Sequence, residues 1–139
     1  MKRAIVLCIS LVVIAATQLR VRAFSAQSDP SLEISWTKFK TAVIKGDKSG
    51  VAALSQFPID MPYGVPAVRN SVQLVKRFQQ VFNGETNAAK CFAEAHPIVD
   101  TRNRFTVGCK NSAGDEVIVY SFIRTKVGWK FKSLDYTNE

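Results

Sequence analysis

The chain of 139 residues is predicted to fold as an α+β domain, with N-terminal helices packed on a four-stranded antiparallel meander. Three observations favour this class. Apolar residues recur at helical spacing up to residue 82, and the period changes to two after Asn87. The later apolar runs are joined by links of only a few residues, and links that short connect neighbouring antiparallel strands.

The first 23 residues are predicted to be a cleaved signal peptide. Lys2 and Arg3 precede an apolar run over 4–16. That run is too short to span about 30 Å of hydrocarbon as a helix, but it is typical of the apolar region of a signal peptide. The alternative is an uncleaved anchor.

Small residues after the apolar run predict cleavage before Phe24, with Ala26 as a second possible end point. We therefore expect an exported protein, periplasmic or secreted and not embedded in a membrane. It would have a flexible leader over 24–29 and a single domain over 30–139.

Export changes the charge balance of the working protein. The whole chain carries +8, but four of its 19 basic residues and none of its 11 acidic residues precede Phe24. The mature domain is therefore only mildly basic, at +4. A nucleic-acid binder needs a denser basic stripe, so no nucleic-acid partner is expected.

The first helix is predicted to begin at Asp29-Pro30, where Asp suits the N-cap and Pro the first helical position. Gly46 is expected just past its C-terminus. The apolar stripe of this helix comprises Leu32, Trp36, Phe39 and Val43.

Two more helices are predicted, over 48–54 and over 71–82, the second capped by Asn70. The stripe of the latter comprises Leu74, Val75, Phe78, Val81 and Phe82. Between them, residues 57–67 hold three prolines and a glycine, so this segment is not expected to be regular over its whole length. The helices also carry a set of basic residues, which form either a basic surface facing acidic partners or an ordinary solvated face. They are Lys38, Lys40, Lys45, Lys76 and Arg77.

The four predicted strands cover 90–98, 104–111, 116–124 and 128–136. In the last strand Trp129 and Phe131 point one way, while Leu134 and Tyr136 point the other. Either both faces are partly covered, or a bulge near Lys132 shifts the register.

Two cysteines remain after Cys8 leaves with the signal peptide. The first predicted hairpin brings Cys91 opposite or diagonal to Cys109, within reach of a structural disulfide. The alternative is two free thiols. No metal site is expected, because two cysteines and the distant His96 do not complete a tetrahedral set.

Residues 36–47 (WTKFKTAVIKGD) and 128–131 (GWKF) resemble the first helix and last strand of the nuclear-transport-factor-2-like, or cystatin-like cone, superfamily. Phe57-Pro58 and the helix with Phe78 and Phe82 are similar to small exported bacterial members without assigned activity. The resemblance implies a curved sheet wrapped around the long helix, with a pocket at its open end. Isomerases, dehydratases, ligand binders and interaction modules share this fold, so the resemblance does not choose among them.

Three side chains are candidates for acid–base chemistry. His96 is the only histidine, and Glu94 on the same predicted strand face could pair with it. Asp60 and Tyr63 lie in the proline-rich loop and could polarise a carbonyl. No phosphate-binding glycine loop is present in the sequence, and no cofactor is expected.

The aromatic residues suggest a binder more than an enzyme. A ligand pocket between helix and sheet is predicted to be lined by Trp36, Phe39, Phe78, Tyr120, Phe122 and Trp129. The leading hypothesis is a non-catalytic exported domain, monomer or homodimer, that binds a small apolar ligand or a protein. The alternatives are a pocket enzyme of isomerase or hydro-lyase type, and an inhibitor or immunity-type protein that blocks an enzyme through a loop with Met61 and Tyr63.

Overall fold

The structure is a computed structural model that describes residues 29–137. The predicted signal peptide, its cleavage site and all of the predicted 24–29 leader except Asp29 lie outside the described residues. Within 29–137 no helix is long and apolar enough to cross a membrane.

Helices precede most of the sheet, so the predicted α+β class is confirmed. The elements are α1 Pro30–Ile44, α2 Lys48–Ala53, β1 Ser55–Asp60, α3 Ser71–Asn83, α4 Ala88–Glu94, β2 Ile98–Thr101, β3 Arg104–Lys110, β4 Val117–Thr125 and β5 Gly128–Thr137. The sheet has five strands in the order β1-β5-β4-β3-β2. β2 to β5 form the predicted antiparallel meander, and β1 joins β5 in parallel at the edge.

Both ends of α1 follow local sequence rules. The Asp29 carboxylate accepts a hydrogen bond from the Ser31 amide at 2.9 Å, which satisfies one of the free N–H groups of the first turn. The helix ends at Ile44, and Gly46 has a φ of 67°, a left-handed conformation that favours glycine. The cap and the glycine stop are therefore confirmed.

β1 is a fifth strand that the sequence does not predict. It takes up residues 57–60, whereas residues 61–67 lie outside the helices and strands, so the segment 57–67 is not regular over its whole length, as expected. Leu54, just before β1, accepts a hydrogen bond from the Phe131 amide at 2.9 Å, and Pro58 lies within the strand. Proline is tolerated because β1 is at the edge of the sheet, where an amide can be missing without breaking an internal ladder. Its partner strand lies some 70 residues further along the chain, too far for a local pattern to indicate.

The predicted strand over 90–98 is wrong. The Asn87 side chain accepts from the Lys90 amide at 3.0 Å and starts helix α4, which buries Ala88 and Phe92 four residues apart on one face. Three of the seven residues of α4 are alanines, the strongest helix formers. Only the short edge strand β2 follows, after Pro97.

The predicted pairing of Cys91 with Cys109 is confirmed, with the Cα atoms 5.9 Å apart. Its setting differs from the prediction. Cys91 lies on α4 and Cys109 on β3, so the disulfide joins a helix to the sheet and does not cross a hairpin.

The bulge near Lys132 is confirmed. Ser121 pairs with Ser133 and Phe122 with Phe131, which leaves Lys132 as the extra residue of β5. One inserted residue reverses the face of everything after it. Leu134 therefore joins the buried inner face of the sheet with Trp129 and Phe131.

Candidate binding surface

The six aromatic residues predicted to line a pocket form the core between the helices and the sheet. Trp36, Phe39, Phe78, Tyr120, Phe122 and Trp129 are each at most 5% exposed. The Phe39 ring lies 4.8 Å from that of Phe122 and 5.3 Å from that of Phe131, at ordinary contact distances for packed aromatics. Side chains that already fill the space against one another do not support the predicted ligand pocket.

Tyr120 is the polar member of this core. Its hydroxyl donates to the Val81 carbonyl at 3.3 Å. Burial raises the pKa of the Tyr120 phenol well above its usual value, and the nearby Tyr136 raises it further. The pKa of Tyr136 is itself raised, mainly by burial and then by the carboxylates of Glu85 and Glu116. Both hydroxyls therefore keep their protons at neutral pH.

The acid–base candidates lie at opposite edges of the sheet. Asp60 ends β1, whereas the exposed His96 lies just before β2, and three strands separate those two edges. Four strand spacings of about 4.8 Å put roughly 19 Å between them. One small substrate cannot contact both, so the structure does not bring these residues together.

Each candidate also has its own surroundings. The Asp60 carboxylate lies 3.3 Å from the Lys132 ammonium in a partly exposed ion pair. Glu94 ends α4 and is exposed, and within residues 29–137 neither it nor His96 forms an ion pair.

Tyr63 is presented at a turn. The Pro62 carbonyl accepts from the Val65 amide at 2.9 Å, and Gly64 has a φ of 82°, as the third residue of a type II turn requires. Pro62 is buried, whereas the Tyr63 side chain is fully exposed. The turn therefore holds an aromatic side chain out in solvent and does not cover a pocket with it.

An apolar depression of about 560 Å³ lies between α2 and α3. It is lined by Ser49, Ala52, Ala53, Ser71, Val72, Val75 and Lys76. Val72 is 62% and Val75 38% exposed, so the predicted inward position of Val75 is wrong. The α2 wall carries only small side chains, which lets an incoming group approach the helix backbone.

Two further depressions continue this surface on either side. One of about 510 Å³ shares Ala53 and extends across α1, and one of about 280 Å³ shares Lys76 and extends to the loop before α3. They are lined by Thr37, Lys38, Thr41, Ala42, Lys45, Asp47, Gly50, Ala53 and Leu54, and by Pro66, Ala67, Arg69, Gln73, Lys76 and Arg77. We call the residues of these three depressions the helical face.

The helical face is positively charged. Its basic members are Lys38, Lys45, Arg69, Lys76 and Arg77, and its one acidic member is Asp47. Asp47 is engaged as the cap of α2, where it accepts from the Gly50 amide at 2.9 Å. Arg77 is fixed by the Pro66 carbonyl at 2.8 Å, so this cation is held in place before any partner arrives.

Part of this face was visible in the sequence. Lys38, Lys45, Lys76 and Arg77 belong to the predicted basic helical surface, although Lys40 does not line the three depressions. The apolar part gives no signal, because alanine and serine at helical spacing look like ordinary surface.

The sequence matches no protein-family model and no curated protein. Solved structures similar to the chain include a ketosteroid isomerase-like protein from Erwinia carotovora atroseptica, with 15% identity, a TM-score of 0.48, and coverage of 76% of this chain and 92% of that one. An NTF2-like protein with a cystatin-like fold from Novosphingobium aromaticivorans has 12% identity, a TM-score of 0.45, and coverage of 76% and 78%. A domain of unknown function with a cystatin-like fold from Nostoc punctiforme has 13% identity, a TM-score of 0.47, and coverage of 78% and 75%.

Two of these three descriptions name a cystatin-like fold. Identities this low carry no activity from one protein to another. The class that the chain's own fold and surface define is an α+β domain with a packed interior and an open, basic, partly apolar helical face.

Proposed function

We propose that the chain is an exported, non-catalytic binding domain that recognises a protein partner through the helical face. The partner segment would be an acidic amphipathic helix. The observation that carries this proposal is the continuity of the three depressions across α1, α2 and α3, apolar along the middle and basic along the sides.

A protein partner fits better than a small apolar ligand. Small-molecule sites enclose most of their ligand, and the interior of this domain is filled by its own aromatic rings. The depression between α2 and α3 is open, with Val72 and Val75 reaching into solvent. An open apolar strip suits the side chains of a helix laid along it, as in other helix-in-groove complexes.

The positive charge of the helical face favours an acidic partner. Five cations and one engaged carboxylate line the helical face, so a negatively charged segment gains favourable long-range attraction. In addition, the Lys48 ammonium lies 5.9 Å from the centre of the Phe78 ring, which keeps a further cation near the α2–α3 depression.

Export rests on the predicted signal peptide, and the Cys91–Cys109 disulfide fits an oxidising compartment. Acid–base catalysis is not proposed, because Asp60 and His96 lie at opposite edges of the sheet.

The test uses a synthetic helix with leucines on one face and glutamates on the other, and a matched control peptide with lysines in place of the glutamates. We expect the acidic peptide to shift the amide NMR signals of Ala53, Val72 and Val75, and to bind more weakly as salt rises. The lysine peptide should leave them unchanged.

The variant Val75→Asp places a like charge in the strip and should weaken binding of the acidic peptide about tenfold or more. Val127→Asp is the matched control, because Val127 is 79% exposed in the turn between β4 and β5, outside the helical face. Equal binding of both peptides, or peptide shifts confined to other surfaces, would overturn the proposal.

A second candidate is an inhibitor that inserts Tyr63 into the cleft of an enzyme. The observation in its favour is the turn that holds this fully exposed tyrosine, since rigid aromatic side chains are common anchors at interfaces. Once an enzyme that the protein inhibits is in hand, Tyr63→Ala should abolish inhibition while Val127→Ala leaves it intact. Retained inhibition by Tyr63→Ala would exclude this mode.

A further inference from the structure

The two edge strands of the sheet, β1 and β2, differ in whether their outer side forms backbone hydrogen bonds. At the β1 edge, Ile59 and Val68 exchange backbone hydrogen bonds of 2.8 and 3.0 Å, so part of the edge is covered by the chain itself. At the opposite edge, β2 pairs with β3 on one side, and no described residue pairs with its other side. A free edge of this kind is a template for another strand.

β2 also exposes aliphatic side chains on both faces of the sheet. Ile98 is 63% and Val99 61% exposed, and adjacent strand residues point to opposite faces. Edges that must stay unpaired are usually very short or carry charges or prolines. β2 has four residues and one charge, Asp100, but two of its four side chains are exposed and aliphatic. A strand added here would cover both side chains.

We infer that β2 pairs in antiparallel order with β2 of a second copy, which continues the sheet from one copy into the next. The arrangement is a two-fold dimer in which the same surface of each copy meets its counterpart. The inference does not depend on the proposed function.

In the antiparallel orientation, the charges beside β2 of one copy face opposite charges beside β2 of the other copy. Glu94 is exposed before the strand and Arg102 is exposed after it, and neither forms an ion pair within the described part of the chain. Antiparallel pairing brings the Glu94 end of one copy to the Arg102 end of the other, twice per dimer. A parallel pairing would put like charges together.

The Asp100 carboxylate, within β2, is not expected to repel a second copy. Asp100 lies 3.5 Å from the guanidinium of Arg104 in its own chain, so its charge is already partnered. The helical face remains free, because Leu54 at the end of α2 contacts β5 near the β1 edge, away from β2.

Sedimentation velocity of the disulfide-bonded protein tests the dimer. We expect a monomer–dimer equilibrium between roughly 10 µM and 1 mM, as suits an interface below the standard size. Val99→Lys should raise the dissociation constant about tenfold or more, since a lysine on an edge strand prevents pairing. Val127→Lys adds the same charge at an exposed valine elsewhere and should change nothing.

A charge exchange provides the second measurement. Glu94→Arg and Arg102→Glu should each weaken the dimer, and the double variant should restore it. Any of three results would overturn the inference. The protein could stay monomeric up to 1 mM. Its dissociation constant could be unchanged by Val99→Lys and by both single reversals, or the double variant could form a weaker dimer than either single variant. Because none of these outcomes involves the acidic peptide, a failure here is distinct from a failure of the proposed function.

Discussion

Cys91 on α4 is covalently bonded to Cys109 on β3, and this bond holds a seven-residue helix against the sheet. A helix that short is not stable alone in water. The buried Phe92 ring, packed 5.0 Å from Trp36 and 4.9 Å from Tyr120, is its other anchor. The disulfide and the buried side chains of Phe92 and Ala88 therefore hold α4 in position.

The double variant Cys91→Ala/Cys109→Ala is expected to be less stable by about 3 kcal/mol. The bond closes a loop over a sequence separation of 18, and opening it restores the freedom of that loop in the unfolded chain. Urea unfolding of the oxidised wild type and the variant measures the difference. The intact mass of the wild type should also be lower than that of the all-thiol form by two hydrogen atoms, and an all-thiol mass in the protein as isolated would contradict the bond.

Asn87 provides a test of helix α4, which occupies residues for which the sequence predicts a strand. Replacing its capping side chain by alanine should cost about 1 kcal/mol, because the Lys90 amide loses its hydrogen-bond acceptor. Asn87→Asp is the matched control, since aspartate caps equally well. If residues 88–94 formed a strand, aspartate would not preserve the stability that alanine removes.

The elements that were predicted well carry their signals locally. Asp29 and Asn70 each accept a hydrogen bond from an amide two or three residues ahead, so the starts of α1 and α3 can be recognised without tertiary contacts. The bulge at Lys132 was also visible, because the apolar residues of β5 change face midway through the strand.

The unpredicted strand β1 and the wrongly predicted strand over 90–98 have physical causes. β1 depends on pairing with β5, far along the chain, and on an edge position that tolerates Pro58. Residues 88–94 combine alanines with a buried Phe92, and a run that short does not distinguish a helix from a strand by period alone. Sequence spacing also shows which aromatic residues face inward, but only the packing shows whether they leave a cavity between them.

Tyr120 should make the protein sensitive to alkaline pH. Its pKa is raised in the folded state by burial, so above about pH 10 the unfolded chain loses the phenolic proton while the folded chain keeps it. The stabilisation is complete below that pH and declines as the pH rises. The free energy of unfolding in urea, measured at neutral pH and near pH 11, should fall more in the wild type than in Tyr120→Phe.

At neutral pH, Tyr120→Phe should be less stable than the wild type by about 1 kcal/mol, through loss of the hydrogen bond to the Val81 carbonyl. The two stabilities should therefore converge with rising pH. Parallel pH profiles would show that the Tyr120 phenol does not contribute to the alkaline loss.

Phe39 distinguishes a packed aromatic core from a ligand pocket. Its ring contacts those of Phe122 and Phe131 and is 2% exposed, so Phe39→Ala should destabilise the domain by about 3–5 kcal/mol through lost burial and the cavity left behind. Tyr63→Ala removes an aromatic ring from a fully exposed site and should change stability by less than about 0.5 kcal/mol. A side chain that merely lined an open pocket would already be in contact with water, so trimming it would cost little. Urea unfolding that gives Phe39→Ala the same small effect as Tyr63→Ala would therefore restore the pocket hypothesis, whereas the expected difference assigns Phe39 to the core.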